Sequence, residues 1–223
     1  MKDTVLNNRN VATINKRIVD EIIYGLSVID EDKIKTPSDL KSDYKKIHGN
    51  LVAITLRKYI QNIINYFGLN YKVSVVNSYI KGSPIEWDLL ILKGNARGIN
   101  DTNIYNVNDC VCILEIKKPG IYNMKDFKAN IKKQINNINY IRKLTNTNLN
   151  FGYISFEETP NYFEITKEYF KELNESSDNV FTFVKYPYEA KLEFIDGCED
   201  FEKYLFSILD KNNNGGTVWR IKK

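Results

Sequence analysis

The sequence predicts an α/β protein in which a mixed β-sheet is flanked by α-helices. Three observations carry that expectation. Apolar residues recur at helical spacing in two early segments, 11–27 and 40–67. Three short runs of strand-like composition come next, at 71–80, 85–93 and 110–118. Beyond them, helical and strand patterns alternate, the order expected of strands joined by helical crossovers. No internal repeat and no convincing linker divides the chain. Residues 1–223 therefore read as one domain, with a helical N-terminal part at 1–68 and a core at about 40–160.

The first helix is read from Val11, Ile14, Ile18, Ile22 and Leu26, which share one face. A polar connector, DEDKIKTPSD, separates it from the second helix, which Ser38 or Asp39 can cap. The second helix buries a stripe of Leu51, Ile54, Leu56, Tyr59, Ile60, Ile63 and Ile64, with Gly68 as its stop signal. Period then changes. YKVSVVNSYI at 71–80 reads as a strand, Lys81-Gly82-Ser83-Pro84 as a turn, and IEWDLLILK at 85–93 as a second strand. The last is apolar on both faces, which marks it as central. A polar loop at 94–109, able to pair at its tips, leads to CVCILEIKK at 110–118, a third such strand, ended by Pro119-Gly120. Helical period returns at 123–145, succeeded by a strand at 151–157, a helix at 161–174, a strand at 180–186 and a last helix at 199–210. The closing NNNGGTVWRIKK is read as a loose end.

Charge says little about partners. Lys and Arg number 32 against 28 Asp and Glu, a formal net charge of +4, which permits a nucleic-acid partner without arguing for one. No stretch approaches the ~20 apolar residues needed to span a bilayer, so no membrane partner is expected. The opening MKDTVLNNRNVATINKR lacks the apolar run of a secretory leader, and three cysteines without a paired framework point to a reducing, cytoplasmic setting. Strand alternation places Cys110 and Cys112 on one face as buried structural thiols, since a zinc site would want further ligands and the only histidine, His48, is distant.

The chemistry is carried by acids inside apolar strands. A charge there is costly unless it is paired or binds a metal. In 85–93 the interruption is Asp88, with Glu86 two residues earlier on the same face. In 110–118 it is Glu115, with Lys117 two residues later. If the strands pair side by side, Asp88, Glu115 and Lys117 converge. Two carboxylates suit a hard cation that keeps several waters and also binds a substrate phosphate, and the carbonyl of Ile116 lies between the two strand residues as a further ligand. The same residues also fit a structural ion pair at a strand end.

S-P-I-E-W-D-L-L-I-L and, further on, C-I-L-E-I-K-K-P resemble the PD-(D/E)XK nuclease superfamily. The resemblance covers residues 40–145 and implies a restriction-endonuclease-like sheet with a catalytic core. It also implies Asp88 and Glu115 as Mg²⁺ ligands, with Mn²⁺ able to substitute, and Lys117 as the catalytic lysine. The activity implied is metal-dependent hydrolysis of DNA, more an endonuclease than an exonuclease, in restriction, repair or phage settings. Cleavage of both strands would suit a homodimer. A catalytically inactive DNA-binding or assembly module of the same fold is the rival reading.

Further residues are candidates by position. Some members of the superfamily carry another acid in the helix before the first strand, where this chain has His48 and Asn50; Glu21 on the first helix is a weaker substitute. Gln134, in the helix after the E-x-K strand, corresponds to an active-site glutamine of exonuclease-like members, although Tyr140 falls two places late for their Q-x-x-x-Y pattern. Lys45, Lys46, Lys125, Lys128 and Lys132 are candidate phosphate contacts, with Lys133, Arg142 and Lys143 on the same helix. Arg97 and the Asn-rich loop at 94–109 could enter a groove, although nothing in the spacing shows it.

Overall fold

Helix α1, Tyr44–Tyr66, forms because Val52, Leu56, Tyr59, Ile60 and Ile64 recur on one face, and all five are buried. Ile54, assigned to that stripe from the sequence, is exposed instead, and Val52 and Ala53 take the inward positions. Gly68 ends the helix with φ 61°. Its N–H bonds to the carbonyl of Asn65, and that of Leu69 to the carbonyl of Ile64, a Schellman closure that needs a left-handed residue. Asn174 closes a later helix with the same pair of bonds at φ 60°, to Lys171 and Phe170. Asn77, Asn100 and Asn146 also adopt positive φ, so part of the chain's Asn-richness serves turns where Gly is the commoner choice.

The computed structural model describes residues 44–117, 124–158, 160–176, 179–185, 193–194 and 197–211, together with Asp20, Glu21, Tyr24, Gly25 and Val28. Those five isolated positions are helical, in and just beyond the segment read as the first helix; the remainder of 11–27 and the C-terminal tail lie outside the described residues. The strands are β1 (Tyr71–Val73), β2 (Ser78–Ile80), β3 (Glu86–Trp87), β4 (Leu89–Lys93), β5 (Ile104–Tyr105), β6 (Cys110–Lys117), β7 (Asn150–Glu158), β8 (Val180–Lys185) and β9 (Glu193–Phe194). Helices α2 (Met124–Thr145), α3 (Pro160–Glu172) and α4 (Gly197–Lys211) complete the described elements besides short 3₁₀ turns.

Six strands make a mixed sheet in the order β1-β4-β6-β7-β8-β9. β4 runs antiparallel to its two neighbours β1 and β6, β6, β7 and β8 run parallel, and β9 returns antiparallel. The parallel pairs require crossovers, which α2 and α3 supply. Each face of the sheet carries its own core. Ile131, Ile135, Ile138 and Ile141 of α2 pack with Phe170 of α3 against Leu90, Ile113 and Phe151. On the other face α1 packs with Phe201, Leu205, Ile208 and Leu209 of α4 against Leu89, Leu114 and Phe181. No helix among the described residues is long and apolar enough to cross a membrane.

Two predicted strands prove to be broken. The run at 71–80 divides into β1 and β2 at Asn77, whose φ of 59° turns the chain out of the six-stranded sheet. Ser74 makes the departure possible: its hydroxyl accepts from the N–H of Leu90 while its own N–H bonds to the carbonyl of Leu90. The run at 85–93 divides at Asp88 into β3 and β4. β2 pairs with β3 and, in parallel, with β5, giving a second, three-stranded sheet in the order β3-β2-β5. Within the 94–109 segment, which the sequence reads as a loop able to pair, β5 completes this small sheet.

Cys110 and Cys112 are both buried, but they do not share a face. A bulge shifts the β4–β6 register from Ile91↔Cys112 to Leu92↔Cys110, which breaks the alternation. Cys110 packs in the α2/α3 core, and Cys112 in the α1/α4 core with its sulfur 3.5 Å from the Tyr204 hydroxyl. Burial pushes the Cys112 thiol up to about 12 and raises Cys110 as well, so both stay protonated and unreactive.

Candidate metal centre

The site forms where β4 begins. Leu89 lies opposite Leu114 in the antiparallel ladder, so the next step of the register sets Asp88 against Glu115. Asp88 occupies the bend at which the chain leaves the small sheet and enters the large one. With β3 diverted, the backbone N–H of Ile116 has no carbonyl from that strand, and the Asp88 carboxylate accepts it at 2.6 Å. Alternation along β6 sends Leu114 and Ile116 into the α1/α4 core and Ile113 into the α2/α3 core. Glu115 and Lys117 share the face of Ile113. The pairing expected from sequence is thus present: β4 and β6 are neighbours in a register that brings Asp88, Glu115 and Lys117 together.

Lys117 links the two acids. Its ammonium donates a short hydrogen bond to Glu115 Oε1 and lies 3.9 Å from Asp88 Oδ2. The Glu115 side chain is only 5 % exposed, whereas Asp88 keeps 26 % and Lys117 33 % of theirs open, so the cluster is reached from the Asp88–Lys117 side. Burial pushes the Glu115 carboxyl up to about 7, the negative charge of Asp88 adds to the rise, and Lys117 opposes it. Asp88 is raised too, first by loss of solvent, with Lys117 and the Ile116 N–H pulling it back. One lysine thus faces two carboxylates that resist being ionised together.

A divalent cation suits that imbalance. Both acids offer hard oxygen donors, and a second positive charge would favour their ionised forms. Asp88 and Glu115 are the residues that would hold it, with the Ile116 carbonyl as the neighbouring backbone donor. Among the described residues no group of three or more His, Cys, Asp or Glu side chains gathers to hold a metal. The remaining positions of the shell would fall to water and substrate oxygen, the usual arrangement for Mg²⁺.

Glu86 lies on β3 of the small sheet, exposed, and accepts a hydrogen bond from the Tyr79 hydroxyl at 2.5 Å. Its charge raises both Asp88 and Glu115. Gln134 is half-buried on α2 and accepts from Asn137 of its own helix at 3.3 Å. His48, Lys45 and Lys46 belong to α1 and Lys125 to α2, but their side chains lie outside the described residues. Lys132, Lys133 and Arg97 are exposed, as is Glu21. Lys128 sits 4.9 Å over the ring of Tyr169, tying α2 to α3. Arg142 is not available to a phosphate in this arrangement: it pairs with Glu175 at 2.5 Å and donates two further bonds to the Leu149 carbonyl.

Sequence reasoning missed the residues that flank the cluster from β7. Tyr153 lies beside Glu115 and Ser155 beside Lys117 in the parallel ladder, and both are buried. The signal was available in the alternation of FGYISFE, but only once β7 is known to neighbour β6. Compared with protein-family models, with curated proteins and with solved structures, the chain matches none of them.

Proposed function

We propose that this protein is a divalent-metal-dependent deoxyribonuclease of the PD-(D/E)XK type, with a restriction-endonuclease-like core, that hydrolyses DNA phosphodiester bonds internally. The observation that carries the reading is the sharing of Lys117 by two carboxylates, one on β6 and one at the bend that opens β4, both interrupting an apolar sheet. A structural ion pair needs one acid, and the second only adds repulsion that burial makes worse.

In this reading Asp88 and Glu115 hold Mg²⁺ or Mn²⁺, which when bound acidifies water and stabilises charge on the pentacovalent phosphorus. The open side of Asp88 and Lys117 admits the phosphate. Lys117, its tie to Glu115 loosened if a cation neutralised that carboxylate, would orient the attacking water and, after releasing its own ammonium proton to solvent, would accept the water's proton as a neutral amine. Asp88, fixed by the Ile116 N–H, keeps its ligand oxygen in place through the reaction. Exposed lysines such as Lys132 hold the backbone of the substrate without reading bases.

The test is incubation of supercoiled plasmid with Mg²⁺ or Mn²⁺, comparing wild type with Asp88→Ala and Lys117→Ala. Nicked or linear product that needs the metal and is lost in both variants supports the reading. No cleavage with either metal, or undiminished cleavage in both variants, overturns it.

A further inference from the structure

The rows that cross β6, β7 and β8 on the α2/α3 face change character toward the C-terminal ends of these strands. Ile113 stands beside Phe151, then Glu115 beside Tyr153 and Val180, and last Lys117 beside Ser155 and Thr182. The final row is polar across all three strands, although Ser155 is only 3 % and Thr182 1 % exposed. Strands buried on both faces ordinarily carry Val, Ile or Leu at such positions, because a buried hydroxyl is costly unless it is hydrogen-bonded. Ser155 is also the smallest side chain in the three rows, and it is the one set directly against the lysine.

We propose that Ser155 is a positioning residue for Lys117: from the neighbouring strand it walls in the lysine on its buried side and keeps the side-chain nitrogen at Glu115 and Asp88. This role rests on the nuclease reading above and concerns the lysine, not the cation. Adjacent strands stand ~4.8 Å apart and paired residues of a parallel ladder share a face, so the Ser155 side chain lies alongside the Lys117 stem. Glu115, on the lysine's own strand, accepts from the ammonium, and Asp88, at the start of β4, lies 3.9 Å from it. β7 is the neighbour on the other side, and there the wall is Ser155. A lysine reaches its charge through a flexible four-carbon stem, so two carboxylates fix the charge without fixing the path that leads to it. A small hydroxyl at 155 leaves room for the stem to lie against β7 and offers the nitrogen a polar neighbour. Rate is sensitive to such placement, since a displacement of ~1 Å can cost ~100-fold. Ser155 is buried and does not reach the substrate, so it acts on rate and not on affinity.

Three substitutions separate the hydroxyl of Ser155 from its volume. Ser155→Thr keeps the hydroxyl, Ser155→Val has the shape of threonine without it, and Ser155→Ala removes it and leaves space. Initial rates of nicking of supercoiled plasmid in Mg²⁺ or Mn²⁺, over a range of plasmid concentrations, give kcat and KM for the full chain. They are read well below the lowest melting temperature of the set, so that loss of fold does not pass for loss of rate. Ser155→Ala and Ser155→Val are expected to lower kcat by about 10- to 100-fold with KM within about twofold of wild type, while Ser155→Thr stays within about threefold in both. If Ser155→Val does not fold, Ser155→Ala against Ser155→Thr carries the comparison. Wild-type kcat in Ser155→Ala and Ser155→Val, with cleavage lost in Lys117→Ala, overturns the role of Ser155 and leaves the nuclease reading standing. A loss in Ser155→Thr as deep as in the other two, or a loss carried by KM, likewise reduces Ser155 to a packing residue. No cleavage by the wild type with either metal overturns the nuclease reading and this role together.

Discussion

The carboxylate of Asp88 accepts the backbone N–H of Ile116 at 2.6 Å, so a side chain closes the ladder where a strand has turned away. Asp88 therefore has a structural duty besides the chemical one proposed for it, and the two can be separated. Asp88→Asn keeps a carbonyl acceptor for that N–H, while Asp88→Ala leaves it unpaired. Both remove the same negative charge. Denaturant unfolding should place the Ala variant below the Asn variant by about 1–2 kcal/mol, and both should lose metal-dependent cleavage. Equal stabilities would show that the N–H finds another partner.

Glu115 gives the metal-free protein a defined pH dependence. Its folded carboxyl titrates near 7, above the ordinary carboxylate range, so between the two the folded state keeps a proton that the unfolded chain has released. Stability is highest below that window, falls as pH rises through it and levels off above. Asp88, raised by the same burial, acts in the same direction. Mg²⁺ favours the ionised acids, so it should raise the melting temperature more at pH 8 than at pH 6. Glu115→Gln should flatten the profile and abolish most of the Mg²⁺ response; a variant that keeps both would remove Glu115 from the site.

Lys117 compensates two acids at once. Lys117→Ala leaves Asp88 and Glu115 facing each other without an ammonium, which should cost about 2 kcal/mol at pH 8, below the ~3–5 kcal/mol of a fully buried broken pair because the cluster is partly open. At pH 6 the loss should be smaller, since Glu115 can take up a proton instead. Saturating Mg²⁺ should restore much of the stability while cleavage stays at least ~100-fold down, as expected when a proton-transfer group is lost. Recovery of cleavage along with stability would make Lys117 a structural counter-ion only.

Gly152 offers a variant that touches stability and spares the chemistry. It lies opposite Leu114 in the β6–β7 ladder, and a Cβ there would stand 2.7 Å from Leu114 Cδ2 and 3.2 Å from Tyr204 Cε1. Gly152→Ala should destabilise by ~1–3 kcal/mol through overpacking of the α1/α4 core. Mn²⁺ affinity should not change, because the clash is on the opposite face from Glu115. A loss of affinity would mean that strain on β6 reaches the cluster.

Much of this architecture is legible because its signals are local. Most of the regular segments lie within a few residues of the bounds their periodicity implies, since apolar period and turn residues act over one element. The Asp88, Glu115 and Lys117 cluster is legible for a related reason: each acid interrupts an otherwise apolar strand, and E-x-K puts two groups on one face whatever the partner strand. The features that escape the sequence depend on partners. The divisions at Asn77 and Asp88 arise from competition between two sheets for one stretch of chain, and both halves carry the same strand-like composition. The separation of Cys110 from Cys112 comes from a bulge against β4 that no alternation rule contains. Arg142 and Lys128 look like two more surface cations in the sequence, yet Glu175 and Tyr169, both remote along the chain, absorb them.

The sequence by itself determined the order of helices and strands and which side chains could carry charge in the sheet, because hydrophobic period and residue type are properties of short segments. Tertiary structure alone decided that Asp88 and Glu115 meet at one lysine, and that Tyr153 and Ser155 form the neighbouring wall. Those relationships rest on strand order and register, which are set when two separate cores close on opposite faces of the sheet and cannot be read from any one strand.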